Sequence, residues 1–223
     1  GSAALAFPGL MTTGCAKKIR PNIIFIMSDD HAERAISCYD QSLIQTPSID
    51  RIAAEGIRFQ NSFVTNSICG PSRATLLTGK YSHLNGMRDH SDTFDGSQLT
   101  FPKLLQKAGY HTSIIGKWHL KTDPTGFDYW NILKGQGQYY NPDFTENGTP
   151  VKYEGYATDL ITDKAIETLD SMDKSKPFCM LIHHKAPHRN WMPNLKYLEA
   201  FEDQEIPLPS NFRDEYTGRL AAG

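Results

Sequence analysis

The side chains able to do chemistry in this chain fall into four short clusters. The first is Asp29-Asp30, which follows the apolar run from Asn22 to Met27 after Ser28. Adjacent carboxylates repel unless a cation offsets them, and their hard oxygens suit a hard divalent metal. A solvated turn or a helix cap is the plainer role for such a pair. The second is Cys69-Gly70-Pro71-Ser72-Arg73, which runs on through Leu77-Thr78-Gly79-Lys80. Proline suits the first turn of a helix and glycine its exit. Cys69 is therefore expected just ahead of a helix N-terminus, where free N–H groups and the dipole favour a thiolate or a bound oxyanion. Arg73, Leu77 and Lys80 recur at helical spacing on one face, which would bring cysteine, arginine and lysine together. A cysteine beside glycine and proline is also a common small hydrophobe in a turn. A phosphate-wrapping Cys-x5-Arg loop is excluded, because three residues separate Cys69 from Arg73.

The third cluster, Lys117-Trp118-His119, follows the apolar stretch Thr112 to Ile115. In extended chain alternate residues point the same way, so a lysine and a histidine would flank one anion. The fourth, His183 to Trp191, follows a further apolar run from Pro177. Its three histidines, His183, His184 and His188, suggest zinc, but no cysteine or carboxylate in the segment completes a ligand set. Lys185, His184 and Arg189 are anion-binding candidates there. Trp191 either walls a pocket or packs, and His83 either reaches a substrate or lies on the surface.

The order Cys-x-Pro-Ser-Arg-x-x-x-Leu-Thr-Gly, met by Cys69, Pro71, Ser72, Arg73, Leu77, Thr78 and Gly79, resembles the type I sulfatases. The resemblance implies that Cys69 is oxidised to formylglycine by a formylglycine-generating maturation enzyme. Hydrated to a geminal diol, that group would attack sulfur with one hydroxyl and expel sulfate through the other. It also implies calcium, in preference to magnesium, on Asp29, Asp30 and residue 69. Arg73 would stabilise the diol, Lys117 hold a sulfate oxygen, His119 orient the diol, and His188 with Lys185 bind or protonate the ester oxygen. Lys80 stands where the family has arginine, keeping the charge but losing the bidentate fork. Lys80, Lys185 and Trp191 are the expected substrate-binding residues. Ala186-Pro187-His188, Trp191 and the stretch Gly135 to Pro142 are similar to N-acetylglucosamine-6-sulfatases. The implied substrate is a 6-O-sulfated N-acetylglucosamine of glycosaminoglycans or mucin glycans. A phosphate or phosphonate monoester hydrolase on the same fold, and a non-catalytic glycan-binding lipoprotein, remain alternatives.

The elements that must position these clusters read as an α/β architecture. A mostly parallel central sheet flanked by helices is expected, as in the alkaline-phosphatase-like sulfatase fold that the resemblance implies. The apolar runs 22–27, 112–115 and 177–184 read as buried parallel strands ending on the clusters. Helices are expected from about Thr46 to Gly56, from Pro71 to Gly79, over 101–109 and over 159–172. Ile57 to Val64 reads as a short strand, 88–98 as a loop rimming the site, 126–144 as an aperiodic excursion, and 206–212 as extended. With 223 residues, 39% hydrophobic, the chain can bury one sizeable core. The net charge of −2 gives no bulk pull toward nucleic acid. No apolar run is long enough to span a membrane. The four cysteines show neither metal-pair spacing nor a disulfide framework, and Cys179 reads as core.

Residues 1–20 read as a tail or leader remnant. Gly1-Ser2 looks like an expression remnant, and the small residues before Cys15-Ala16-Lys17-Lys18 resemble the end of a bacterial lipoprotein signal. A periplasmic or surface-lipoprotein location is the corresponding expectation. Residues 21–223 read as the N-terminal part of a catalytic domain, with the remaining metal ligands expected after Gly223.

Overall fold

The computed structural model describes residues 20–218; the lipoprotein-like segment around Cys15 lies outside them. The strands are β1 (Ile23–Met27), β2 (His111–Lys117), β3 (Tyr129–Leu133), β4 (Asp143–Glu146), β5 (Thr149–Lys152) and β6 (Phe178–His183). The helices are α1 (Pro47–Glu55), α2 (Cys69–Thr78), α3 (Ser82–Asn85), α4 (Phe101–Lys107) and α5 (Ala157–Ser171). They build one sheet in the order β1-β6-β2-β3-β4-β5. The first four strands in that order run parallel, and β4 and β5 are antiparallel.

Strands β2 and β6 sit centrally because their sequences are apolar on both faces. Ile114, Cys179 and Leu181 face a cluster with Ala74 and Leu77 of α2, Phe94 and Leu120. The alternate residues Ile115, Met180 and Ile182 face a second cluster with Ile161 and Ala165 of α5, Leu133 and Phe144. Period-two alternation thus divides each strand between two helical layers. At the carboxyl edge of the sheet, Met27 is level with His183, His183 with Gly116, and Lys117 with Leu133. Four strands therefore release their chain at one edge, the place where open α/β sheets gather ligands.

Three expectations change. Strand β1 lies at an edge of the sheet and is not enclosed: Ile24 and Ile26 are 49% and 58% exposed. An apolar run reports only that burial on both faces is possible, and no helix of the described residues covers that face. Residues 57–64 form no strand; Ile57, Phe59, Phe63 and Val64 stand exposed without a ladder partner. The excursion 126–144 holds β3 and the start of a β4–β5 hairpin. Its turn carries Asn147 and Gly148 at φ +44° and +87°. Both central positions demand positive φ, and Asn-Gly there is the strongest short hairpin signal.

Candidate active site

Helix α2 begins at Cys69 and ends as its sequence dictates, with Gly79 as a left-handed cap at φ +66° whose N–H donates to the Thr75 carbonyl. Cys69 occupies the first helical position. Its Sγ lies 3.2 Å from His119 Nδ1 and 3.2 Å from His90 Nε2. Lys117 and His119 both reach the site, but not as alternate residues of an extended strand. Strand β2 ends at Lys117, and His119 takes φ +58°. That left-handed residue turns the chain so that the imidazole meets Cys69.

One helical turn further, Arg73 is buried against the sheet edge. Its Nη1 donates to the Lys117 carbonyl at 2.8 Å and to His183 Nδ1 at 2.9 Å. His183 Nδ1 also lies 3.1 Å from the same Lys117 carbonyl, so the three groups meet at one junction, while His183 Nε2 is buried without a partner among the described residues. Arg73 Nη2 lies 3.8 Å from Asp29 Oδ2. Burial lowers the Arg73 pKa against the opposing pull of Asp29 and Cys69. Burial, reinforced by the Arg73 charge, holds His183 neutral, well below the ordinary imidazole value.

Lys117 is fully buried. Its Nζ pairs with Asp29 Oδ2 and donates to Gln136 Oε1 at 2.5 Å. Lys185 is buried beside it, its Nζ 3.3 Å from the Gln136 carbonyl and 4.8 Å from the Tyr139 ring centre. Burial first, then the repulsion of Lys117, pulls the Lys185 pKa down. The His119 pKa falls to about 4, mainly by burial and then by Lys117 and His90, so its ring is neutral at pH 7. Three buried cations against the one buried carboxylate of Asp29 leave net positive charge. An oxyanion entering the cleft would neutralise it.

Asp30 stands at φ +61° at the rim, with His188 Nε2 3.8 Å from its Oδ2. Asp29, Asp30, Cys69, Ser72 and Arg73 line one cleft of about 360 Å³. The cleft thus offers two hard carboxylates beside residue 69, a donor set that fits part of a shell for a hard divalent cation. Beyond His188 and Lys185, a second cavity of about 640 Å³ is lined by Gln136, Tyr139, Tyr140, Asn141, Lys152 and Arg189.

Asp29, Asp30, Cys69, Arg73, Lys117, His119, Lys185 and His188 are therefore brought to one edge of the sheet. Lys80 is not. It follows the far end of α2, eleven residues and ~16 Å of axial rise from Cys69, and donates to Gln98 Oε1 at 3.3 Å. Helical spacing placed it on the correct side but said nothing about distance along the axis. Trp191 neither packs nor is enclosed, being 75% exposed. His83 is on the surface, stacked on Tyr81. His90 and Gln136 escaped sequence reading, because both lie in irregular segments without a motif. His183, one of the three histidines that suggest zinc, instead ends β6 with its Nδ1 on Arg73.

The sequence profile of the family described as Sulfatase matches residues 21–221. The chain is 59% identical over 203 residues to the N-acetylglucosamine-6-O-sulfatase of Bacteroides thetaiotaomicron, covering 90% of this chain and 36% of that protein. It is 30% identical over 227 residues to the human N-acetylglucosamine-6-sulfatase, covering 90% of this chain and 40% of that one. A solved structure of a protein in complex with its substrate, D-glucosamine-2-N,6-O-disulfate, matches with a TM-score of 0.90 at 58% identity. That match spans 92% of this chain and 42% of the other. The chain thus spans less than half the length of these relatives. Their shared fold and the profile match over residues 21–221 agree with the strand-end cluster: the chain belongs to the sulfatase family.

Proposed function

We propose that this chain is part of a sulfatase that hydrolyses sulfate monoesters of glycosaminoglycan or mucin sugars, with 6-O-sulfated N-acetylglucosamine as substrate. The observation that carries the reading is the convergence of Cys69, Arg73, Lys117 and Asp29 at one helix N-terminus and two strand ends. The likeness to sulfatases acting on N-acetylglucosamine supports the sugar.

Conversion of Cys69 to formylglycine would supply a hydroxyl nucleophile, and a calcium ion on Asp29 and Asp30 would supply Lewis acidity. The chain's own residues do the rest. Lys117 and Arg73 neutralise the sulfuryl oxygens. His119, neutral at pH 7, accepts a proton at Nδ1 from the headgroup of residue 69. Lys185 and His188 stand where the departing alkoxide needs a proton. Burial and the neighbouring Lys117 charge make the Lys185 ammonium a stronger acid than an ordinary lysine. Tyr140 and Asn141 line the adjoining cavity, where the sugar would lie. Residues 21–223 form part of the catalytic domain. Export rests on the lipoprotein-like run before Cys15.

The test is sulfate release by the full-length protein, co-expressed with a maturing enzyme, from N-acetylglucosamine-6-sulfate. The 6-phosphate of the same sugar is the control. Faster phosphate release would assign a phosphate monoesterase. An unmodified thiol in the Cys69 peptide by mass spectrometry, together with sugar binding and no turnover, would assign a binding protein.

A further inference from the structure

We infer that, while residue 69 is still a cysteine, Cys69, His90 and His119 form a binding site for a soft or borderline divalent cation, zinc above all. The three ligand atoms come from three separate elements: the start of α2, the loop after α3 and the turn after β2. They lie within 4.8 Å of one another. Sulfur stands 3.2 Å from each imidazole nitrogen. Zn–S bonds of about 2.3 Å and Zn–N bonds of about 2.0–2.1 Å in a tetrahedron need S···N edges of about 3.5 Å. Small rotations of the side chains would therefore admit the ion.

The loops carrying the two imidazoles are also held together. A Cβ at Gly70 would lie 2.9 Å from Met87 Cε, 3.1 Å from the His119 carbonyl and 3.5 Å from His90 Cδ2. The backbone of α2 therefore runs against both, and the two rings pack edge to face at 4.7 Å. Thiolate and imidazole select zinc over calcium, whereas the carboxylates of Asp29 and Asp30 select the hard cation. Binding is balanced by one proton: the Cys69 thiol loses its hydrogen to solvent as the Zn–S bond forms. Replacing that sulfur by oxygen, which rests on the proposed formylglycine, removes the one thiolate and leaves two imidazoles, which weakens the soft-metal set.

Cobalt(II) serves as the probe, added to full-length protein made without a maturing enzyme. One equivalent should bind with the intense visible bands and thiolate charge transfer of a tetrahedral site, and zinc should displace it. Cys69→Ser should remove the charge transfer. His90→Ala and His90→Gln should each weaken binding at least about tenfold, the loss that even an outer-shell partner can cause. Circular dichroism confirms that each variant is folded; His90 is exposed on a loop. A weak octahedral spectrum, or binding indifferent to either His90 variant, overturns the inference. Matured protein that releases sulfate yet gives no cobalt–thiolate band supports it. Loss of sulfate release with cobalt binding retained by the cysteine form would count against the sulfatase reading alone.

Discussion

Lys117 Nζ is shared between Asp29 and Gln136, and the Lys117 carbonyl accepts a hydrogen bond from Arg73 Nη1. Replacing it with alanine leaves Asp29 facing only Arg73 at 3.8 Å and takes one cation from the place where sulfate charge would be neutralised. Lys117→Ala should lower kcat by ~10²–10³, the usual cost of one such donor. Steady-state sulfate release measures it, and a loss below tenfold would remove Lys117 from the machinery. Lys80→Ala is the complement. Its partner Gln98 and its place beyond Gly79 put it at the far end of α2. Sulfate release by that variant should stay within about twofold of the parent, as for a surface substitution. A tenfold rise in KM would place it on the substrate after all. Arg73 and Cys69 could be paired from the sequence because four residues of helix make one turn. The partnership of Arg73 with His183 could not, since 110 residues separate them.

Among the elements, the tightest constraint is the contact between β2 and β6. Gly116 sits at φ +99°, and a Cβ there would fall 2.1 Å from the His183 carbonyl oxygen. Neither a side-chain rotation nor a local shift relieves a clash with strand backbone. Gly116→Ala should therefore cost about 3 kcal/mol or more, the sum of backbone strain and a displaced strand. Urea denaturation of the full-length protein reads this, and a loss under about 1 kcal/mol would show that β6 yields. The glycine is visible in the Gly-Lys-Trp-His motif, but its positive φ follows from a neighbour 67 residues away (183 − 116). The β4–β5 hairpin is the opposite case. Asn147-Gly148 is a purely local turn signal, but the flanking strands are short and only partly apolar, so the stretch reads as aperiodic.

Across the whole molecule, the buried histidine couples stability to pH. His183 is buried and held neutral, its folded pKa well below the ordinary 6.5. Below 6.5 the unfolded chain binds a proton that the folded chain refuses, so stability must fall as pH falls. Its contribution is complete above about 6.5 and is lost progressively on acidification. Between pH 7.5 and 5.5, the urea midpoint of the parent should drop more steeply than that of His183→Gln, which carries no titrating group. Equal slopes would show that His183 is protonated in the folded state. No helix of the described residues is long and apolar enough to cross a membrane. The sheet edge at β1 stays open on the face of Ile24 and Ile26.

The amino-acid order alone determined what depends on local spacing. Apolar runs marked β1, β2 and β6, proline and glycine bounded α2, and four clusters lay where strands or a helix begin or end. Their motifs carry the resemblance to the family. Tertiary structure alone decided how far those groups stand from one another. Parallel pairing brings Met27, His183 and Lys117 to one edge. That pairing puts Lys117 on Asp29, buries His183 under Arg73, and brings His90 and Gln136 in from loops without periodicity. It also leaves Lys80 outside, since a helix keeps angular phase along its axis but not proximity. Contacts across long stretches of chain depend on loop closure and packing, and no local pattern encodes them.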